Sequence, residues 1–123
     1  MAAPFFSIGE LWFVEEVRRI LIEEGANVIS PIHDVGQVDG SMTAEEIANK
    51  DLEGIDNADV VLALIDQCDS GTFFELGYAN NEGQPVVAYG NKIDRSEFTM
   101  LEGSGCGLYN DLSTAIFKTL WVN

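Results

Sequence analysis

The feature that most constrains the fold is a near-continuous apolar run, residues 60–65, which no basic residue interrupts. A second short apolar run, residues 85–89, follows after a polar turn and a segment with helical spacing. Runs of this length and β-branched content are typical of parallel strands covered on both faces. The stretch 59–89 therefore predicts a buried strand, a turn with glycine, a helix over about 72–82 and a second strand.

The rest of the chain adds helices around this unit. Apolar spacing predicts helices over residues 10–24 and 112–121, and Gly25 ends the first of them. Thr43 and Glu46 form a capping-box pattern, which predicts a helix from there to about residue 57. Residues 27–30 predict a short strand, residues 31–42 a long loop, and residues 90–107 irregular chain with one helical turn near 97–101.

Alternation of strands and helices predicts a single α/β domain over residues 1–123. We expect an open parallel sheet in a flavodoxin-like or Rossmann-like three-layer sandwich. In such folds ligands bind beyond the carboxyl ends of the strands. The segments expected there are 4–9, 31–42, 66–72 and 90–104.

Composition narrows the classes of function. A formal net charge of −15 disfavours binding to a nucleic-acid backbone, and the longest apolar stretch is too short to cross a membrane. The N-terminus lacks the pattern of a secretory signal, so we expect a cytoplasmic protein. The two cysteines, Cys68 and Cys106, are expected to be free thiols, and a lone His33 makes no zinc site.

Three acids are predicted near the strand ends. Glu75 is expected in the first turn of its helix, Asp69 in the turn before it, and Asp51 at the margin of an apolar helix face. Each also has a plain structural interpretation: Thr72 and Glu75 match a capping box, and turn carboxylates are commonly solvated. Together the acids suit either divalent-metal binding or glycoside chemistry, and the spacing does not choose between them.

The segment Gly71-Thr-Phe-Phe-Glu-Leu-Gly-Tyr-Ala79, with Asp51-Leu-Glu-Gly-Ile55 before it, resembles the nucleoside 2-deoxyribosyltransferase family. The resemblance implies that Glu75 is the nucleophile that attacks C1′ of a 2′-deoxynucleoside and that Asp51 exchanges a proton with the nucleobase. It implies that Asp69 binds the sugar hydroxyls. A carboxylate at 69 would repel a phosphate and so favours a free 5′-hydroxyl.

The same resemblance implies further positions and two departures. Gly71 and Met100 are expected to bind substrate. Phe5 either stacks on a base or packs between subunits, and His33 either lines the base pocket or lies on the surface. The family's first strand ends in a Tyr whose place falls just before Met1, so the first strand looks truncated. The family's polar residue two positions before the late-loop Met is Phe98 here.

We therefore predict transfer of deoxyribose between nucleobases by a homo-oligomer, with no metal or organic cofactor. The expected partners are a nucleoside and a nucleobase. Hydrolysis of deoxynucleosides or their 5′-monophosphates is the nearest competing prediction, because water can replace the acceptor base. The residues are also compatible with a non-catalytic nucleoside-binding module and with a divalent-metal site.

Overall fold

The computed structural model describes residues 8–29, 43–66 and 70–121. Five α-helices are described: α1 (Ile8–Glu23), α2 (Ala44–Asp56), α3 (Ser70–Asn81), α4 (Thr99–Gly103) and α5 (Leu112–Leu120). Three strands accompany them: β1 (Val61–Leu64), β2 (Val86–Tyr89) and β3 (Gly107–Tyr109). A 3₁₀ turn, Arg95–Glu97, precedes α4.

The three strands form one parallel sheet in the order β1-β2-β3. Val61 aligns with Val86, and Val87 aligns with Gly107. Every residue of β1 and β2 is buried, as expected for strands covered on both faces. This arrangement confirms the predicted open parallel α/β sheet.

Helices cover the two faces of the sheet and form two separate cores. On one face, Ile55 of α2 and Leu76 of α3 pack on alternate strand residues such as Ala63. On the other face, Val17 of α1 and Ile116 of α5 pack on the intervening residues. The predicted three-layer arrangement is confirmed in the described part of the chain.

Two sequence signals define helix α2 and the end of α1. The Thr43 hydroxyl accepts a hydrogen bond from the Glu46 N–H at 3.1 Å, which is the predicted N-cap. At the end of α1, Gly25 has φ +95, and the N–H of Ala26 donates to the Leu21 carbonyl. This pattern is a Schellman cap, whose left-handed residue is most easily a glycine.

Three sequence expectations need correction. Of the strand expected over residues 27–30, the described residues 27–29 form no strand, because no described strand lies beside them to supply a hydrogen-bonding ladder. β3 was not expected, since three residues of sequence show no periodicity; its pairing with β2 creates it. α3 begins at Ser70 rather than at residue 72, so its first turn holds no acidic residue. The expected truncated first strand lies outside the described residues.

We predict that Thr43→Ala lowers the free energy of unfolding by about 1 kcal/mol, because the Glu46 N–H loses its acceptor. Thr43→Ser keeps the hydroxyl and should stay within about 0.5 kcal/mol of the unmodified protein. Urea unfolding followed by circular dichroism measures both. Equal stability of the alanine and serine variants would show that the cap contributes nothing.

Candidate active site

A cleft of about 490 Å³ lies beside the first half of β1, and both predicted catalytic acids line it. Its described lining includes no residue of the segments 66–72 and 90–104 that were expected at the carboxyl ends of the strands. Asp51 of α2 and Glu75 of α3 line it together with Val61 and Leu62 of β1. The cleft reaches residues 26–29 on one side and the end of α5 on the other. Acids that are 24 positions apart in sequence, 51 and 75, are therefore brought to one cavity by two helices on the same face of the sheet.

Asp51 is half-buried, and this burial changes its chemistry. Its neighbours Leu52 and Ile55 pack on the core, so the helix face that carries the carboxylate is held against the protein. Burial raises the pKa of Asp51 above the ordinary value. Its Oδ1 atom is buried and has no hydrogen-bond partner among the described residues. A carboxyl group that lines a cleft and has one oxygen without a hydrogen-bond partner is suited to holding a proton or to accepting one from a bound molecule.

Glu75 lies in the second turn of α3 and is half-buried. The capping-box interpretation of Thr72 and Glu75 is wrong, because α3 begins at Ser70 and Thr72 is inside the helix. Thr72 is 2% exposed, so its side chain packs in the interior. The helix residues Ser70 and Gly71 precede it. Glu75 lines the cleft.

The carboxyl end of β1 is fixed by contacts to the chain after β2. Asp66, in the turn after β1, accepts a hydrogen bond from the Lys92 N–H at 3.0 Å. This bond gives Asp66 the local structural role that turn carboxylates commonly have. The two chain segments approach so closely that a Cβ at Gly90 would lie 3.3 Å from both Asp66 Oδ1 and Ile65 Cγ1.

The other predicted site residues do not line the cleft or lie outside the described residues. Gly71 is exposed in the first turn of α3. Met100 is 83% exposed on α4 and does not line the cleft. Asp69, Phe5 and His33 lie outside the described residues.

Phe98, the departure noted near Met100, is a core residue. It is 7% exposed and stacks on Phe73 of α3, with ring centroids 6.0 Å apart. An apolar side chain at this position therefore stabilises the contact between α3 and the segment before α4. Thr99 beside it is exposed, and its hydroxyl donates to the Ser96 carbonyl.

Sequence reasoning missed two features of the cleft. Lys50 lines it and is the one cation among its described lining residues, although no basic residue is near Glu75 in sequence. Trp121, at the end of α5, lines it as well and is 70% exposed. Lys50 directly precedes Asp51, and this adjacency could have predicted its place at the cleft. Nothing in the sequence relates Trp121 to the acids.

In the described part of the chain, no group of three or more histidine, cysteine, aspartate or glutamate side chains is placed to hold a metal ion. Among the same residues no helix has the length and apolarity needed to cross a membrane.

The family model for nucleoside 2-deoxyribosyltransferase matches residues 1–112. The chain belongs to this family. Membership confirms the resemblance carried by the segment around Glu75, and it supports glycosyl transfer or hydrolysis on nucleosides as the general chemistry.

Relatives include both transferases and hydrolases. A Thermofilum pendens protein (strain DSM 2475 / Hrk 5), named as a 2′-deoxynucleoside 5′-phosphate N-hydrolase, is 31% identical over 93 residues. The match covers 72% of this chain but 64% of that protein, so the chain spans less than two thirds of its relative. This name is that of an enzyme, as the family resemblance implies.

Two solved structures share the fold. The 2-deoxyribosyltransferase of Bacillus psychrosaccharolyticus superposes with a TM-score of 0.75 at 27% identity, covering 94% of this chain and 87% of that one. The CMP N-glycosidase of Clostridium botulinum has a TM-score of 0.70 at 16% identity, and the match covers 98% of this chain and 97% of that one. The second likeness shows the fold alone.

The raised pKa of Asp51 yields a prediction about stability. A carboxyl whose pKa is higher in the folded state binds its proton more tightly there, so stability is lost as pH rises through that pKa. Asp51→Asn removes the buried charge and should raise the melting temperature at pH 7 by about 2 °C. At pH 3, where both states are mostly protonated, the gain should shrink.

Thermal unfolding of the two proteins at both pH values is the measurement. Asp59→Asn is the matched control, since Asp59 lines the same cleft but is exposed. The quantity to compare is the melting temperature of Asp51→Asn minus that of the unmodified protein. If this difference is smaller at pH 7 than at pH 3, the account of Asp51 burial is contradicted.

Proposed function

We propose that the protein cleaves the N-glycosidic bond of 2′-deoxyribonucleosides and transfers the sugar to a second nucleobase, with Glu75 as nucleophile and Asp51 as proton donor and acceptor. The observation that carries this proposal is that Asp51 and Glu75, from different helices, line one cleft. Family membership adds the reaction class. Retaining glycosyl transfer commonly uses a pair of carboxyl groups, one as nucleophile and one as proton donor and acceptor.

In the first half-reaction, a Glu75 carboxylate oxygen attacks C1′ of the bound nucleoside. The bond between C1′ and the base nitrogen breaks, and its electron pair leaves with the base. Protonated Asp51 supplies a proton to the departing base, so that a neutral nucleobase is released. The half-burial that raises the pKa of Asp51 keeps this proton available to a higher pH than an exposed aspartate would.

In the second half-reaction, the Asp51 carboxylate removes a proton from the incoming base. The base nitrogen then attacks C1′, and the ester bond to Glu75 breaks with its electron pair returning to the carboxylate. Two displacements at the same carbon retain the configuration of the sugar. The reaction is balanced without a metal or redox partner.

Hydrolysis of a deoxynucleoside 5′-monophosphate is the second candidate. It is favoured by the Thermofilum pendens relative, whose name specifies a 5′-phosphate substrate, and by Lys50, a cation at the cleft. In this version water replaces the second base and a free sugar phosphate is released. Asp69 as sugar-binding residue supports the first candidate, because its charge would oppose a phosphate.

The proposal includes a nucleoside and a nucleobase as partners and a homo-oligomer as the assembly. Phe5, His33, Gly71 and Met100 stay predicted contributors to substrate binding. The single-domain organisation of residues 1–123 and the cytoplasmic location also stay predictions.

Glu75→Gln should lower base exchange between a deoxynucleoside and free adenine by at least about a thousandfold, because the amide cannot form the sugar ester. Liquid chromatography of the released and newly formed nucleosides measures the rate. Glu82→Gln, which changes an exposed glutamate just after α3, is the matched control and should retain full activity.

Assays of deoxynucleosides and deoxynucleoside 5′-monophosphates, each with and without free adenine, separate the two candidates. A new nucleoside formed only when adenine is present supports transfer. Release of base from a monophosphate at the same rate without adenine supports hydrolysis. Substrate binding without any released base, or undiminished exchange by Glu75→Gln, would overturn the catalytic proposal.

A further inference from the structure

A hydrogen bond joins the two helices that carry the acids. The Tyr78 hydroxyl of α3 donates to Asp56 Oδ1 of α2 at 2.7 Å. This bond, foremost among the causes, raises the pKa of Tyr78 to about 12. The two residues are 22 positions apart in sequence, and neither was singled out by the sequence patterns.

A second contact ties the same end of α2 to the chain after α3. The side-chain amide of Gln84 donates to the Ile55 carbonyl at 3.1 Å and to the Asp56 carbonyl at 3.2 Å. These are among the last carbonyls of α2, which a helix leaves without internal partners. The C-terminal end of α2 is thus held to α3 by Tyr78 and to the following loop by Gln84.

The contacts of Tyr78 and Gln84 with the end of α2, here called the joint, lie close to the acids along both helices. α2 leads into β1 and α3 leaves it on the same face of the sheet, so the two helices run roughly in the same direction. Asp51 precedes Asp56 by five positions, about 7.5 Å along the helix axis, and Glu75 precedes Tyr78 by three, about 4.5 Å. A change in the joint would therefore shift one acid relative to the other.

We propose that Tyr78 and Asp56 are positioning residues that set the placement of Asp51 relative to Glu75, with Gln84 fixing the end of α2. This inference rests on the proposed function of the two acids. Apolar contacts through Ile55, Leu76 and Ala79 hold the helices together, but such contacts are non-directional. A short hydrogen bond between the helices instead fixes their rotation and relative height.

An exposed hydrogen bond contributes little to overall stability, so a structural role and a positioning role predict different results. Tyr78→Phe removes only the hydroxyl and keeps the ring that packs on the core. Asp56→Ala removes the acceptor, whereas Asp56→Asn retains an oxygen that can accept the bond. Glu23→Ala removes the acceptor of a hydrogen bond of the same 2.7 Å length, from Arg19, on the other face of the sheet, and serves as control.

We expect Tyr78→Phe and Asp56→Ala each to lower kcat about tenfold, since displacements of about 1 Å cost up to about a hundredfold. KM should stay within about twofold. The double variant should be no slower than either single variant, because both remove the same bond. Asp56→Asn and Glu23→Ala should keep most of the activity.

A second readout does not depend on turnover. Carbon-13 NMR of labelled aspartate carboxyls measures the pKa of Asp51 directly, and in Tyr78→Phe it should fall toward the ordinary value as α2 shifts and exposes the carboxyl. If the unmodified protein shows no glycosyl transfer or hydrolysis, the proposed function fails while this readout still tests the positioning. An unchanged Asp51 pKa together with unchanged kcat in both Tyr78→Phe and Asp56→Ala would overturn the inference.

Discussion

Burial of β1 on both faces is the constraint on which the rest of the structure depends. Val61, Leu62, Ala63 and Leu64 are between 0% and 5% exposed, so helices must cover the sheet from two sides. Ile55 and Leu76 pack over one face, and Val17 over the other. The helices on the first face, α2 and α3, immediately precede and follow β1, and this connectivity brings Asp51 and Glu75 to one cleft.

The same arrangement explains the properties of the Asp51 carboxyl group. α2 presses its apolar side on the core, and Asp51 at the margin of that side is half-buried with a raised pKa. Such burial costs stability, which proteins accept at sites where a group must exchange protons near neutral pH. Glu75 of α3 lines the same cleft.

The sequence predicted the elements that depend on local signals. The apolar run that became β1, the Thr43 cap and the Gly25 terminator each act within a few residues, and each was found where expected. β3 was missed because its three residues owe their conformation to pairing with β2. The start of α3 was misplaced because Thr72 and Glu75 match a capping pattern, whereas the burial of Thr72 places it inside the helix.

For the site, the sequence predicted that the two acids lie close together but not which contacts between helices position them. The partnership of Tyr78 and Asp56 and the presence of Lys50 at the cleft arise from packing between helices, which no spacing rule expresses. The account's central claim is that Glu75 carries the sugar between two bases. Its most direct test is mass spectrometry of the intact protein quenched during reaction with a deoxynucleoside, followed by peptide mapping. The account predicts a deoxyribosyl adduct on the peptide containing Glu75 that disappears when free base is added. Turnover without any adduct under rapid quenching, or an adduct on another residue, would contradict it.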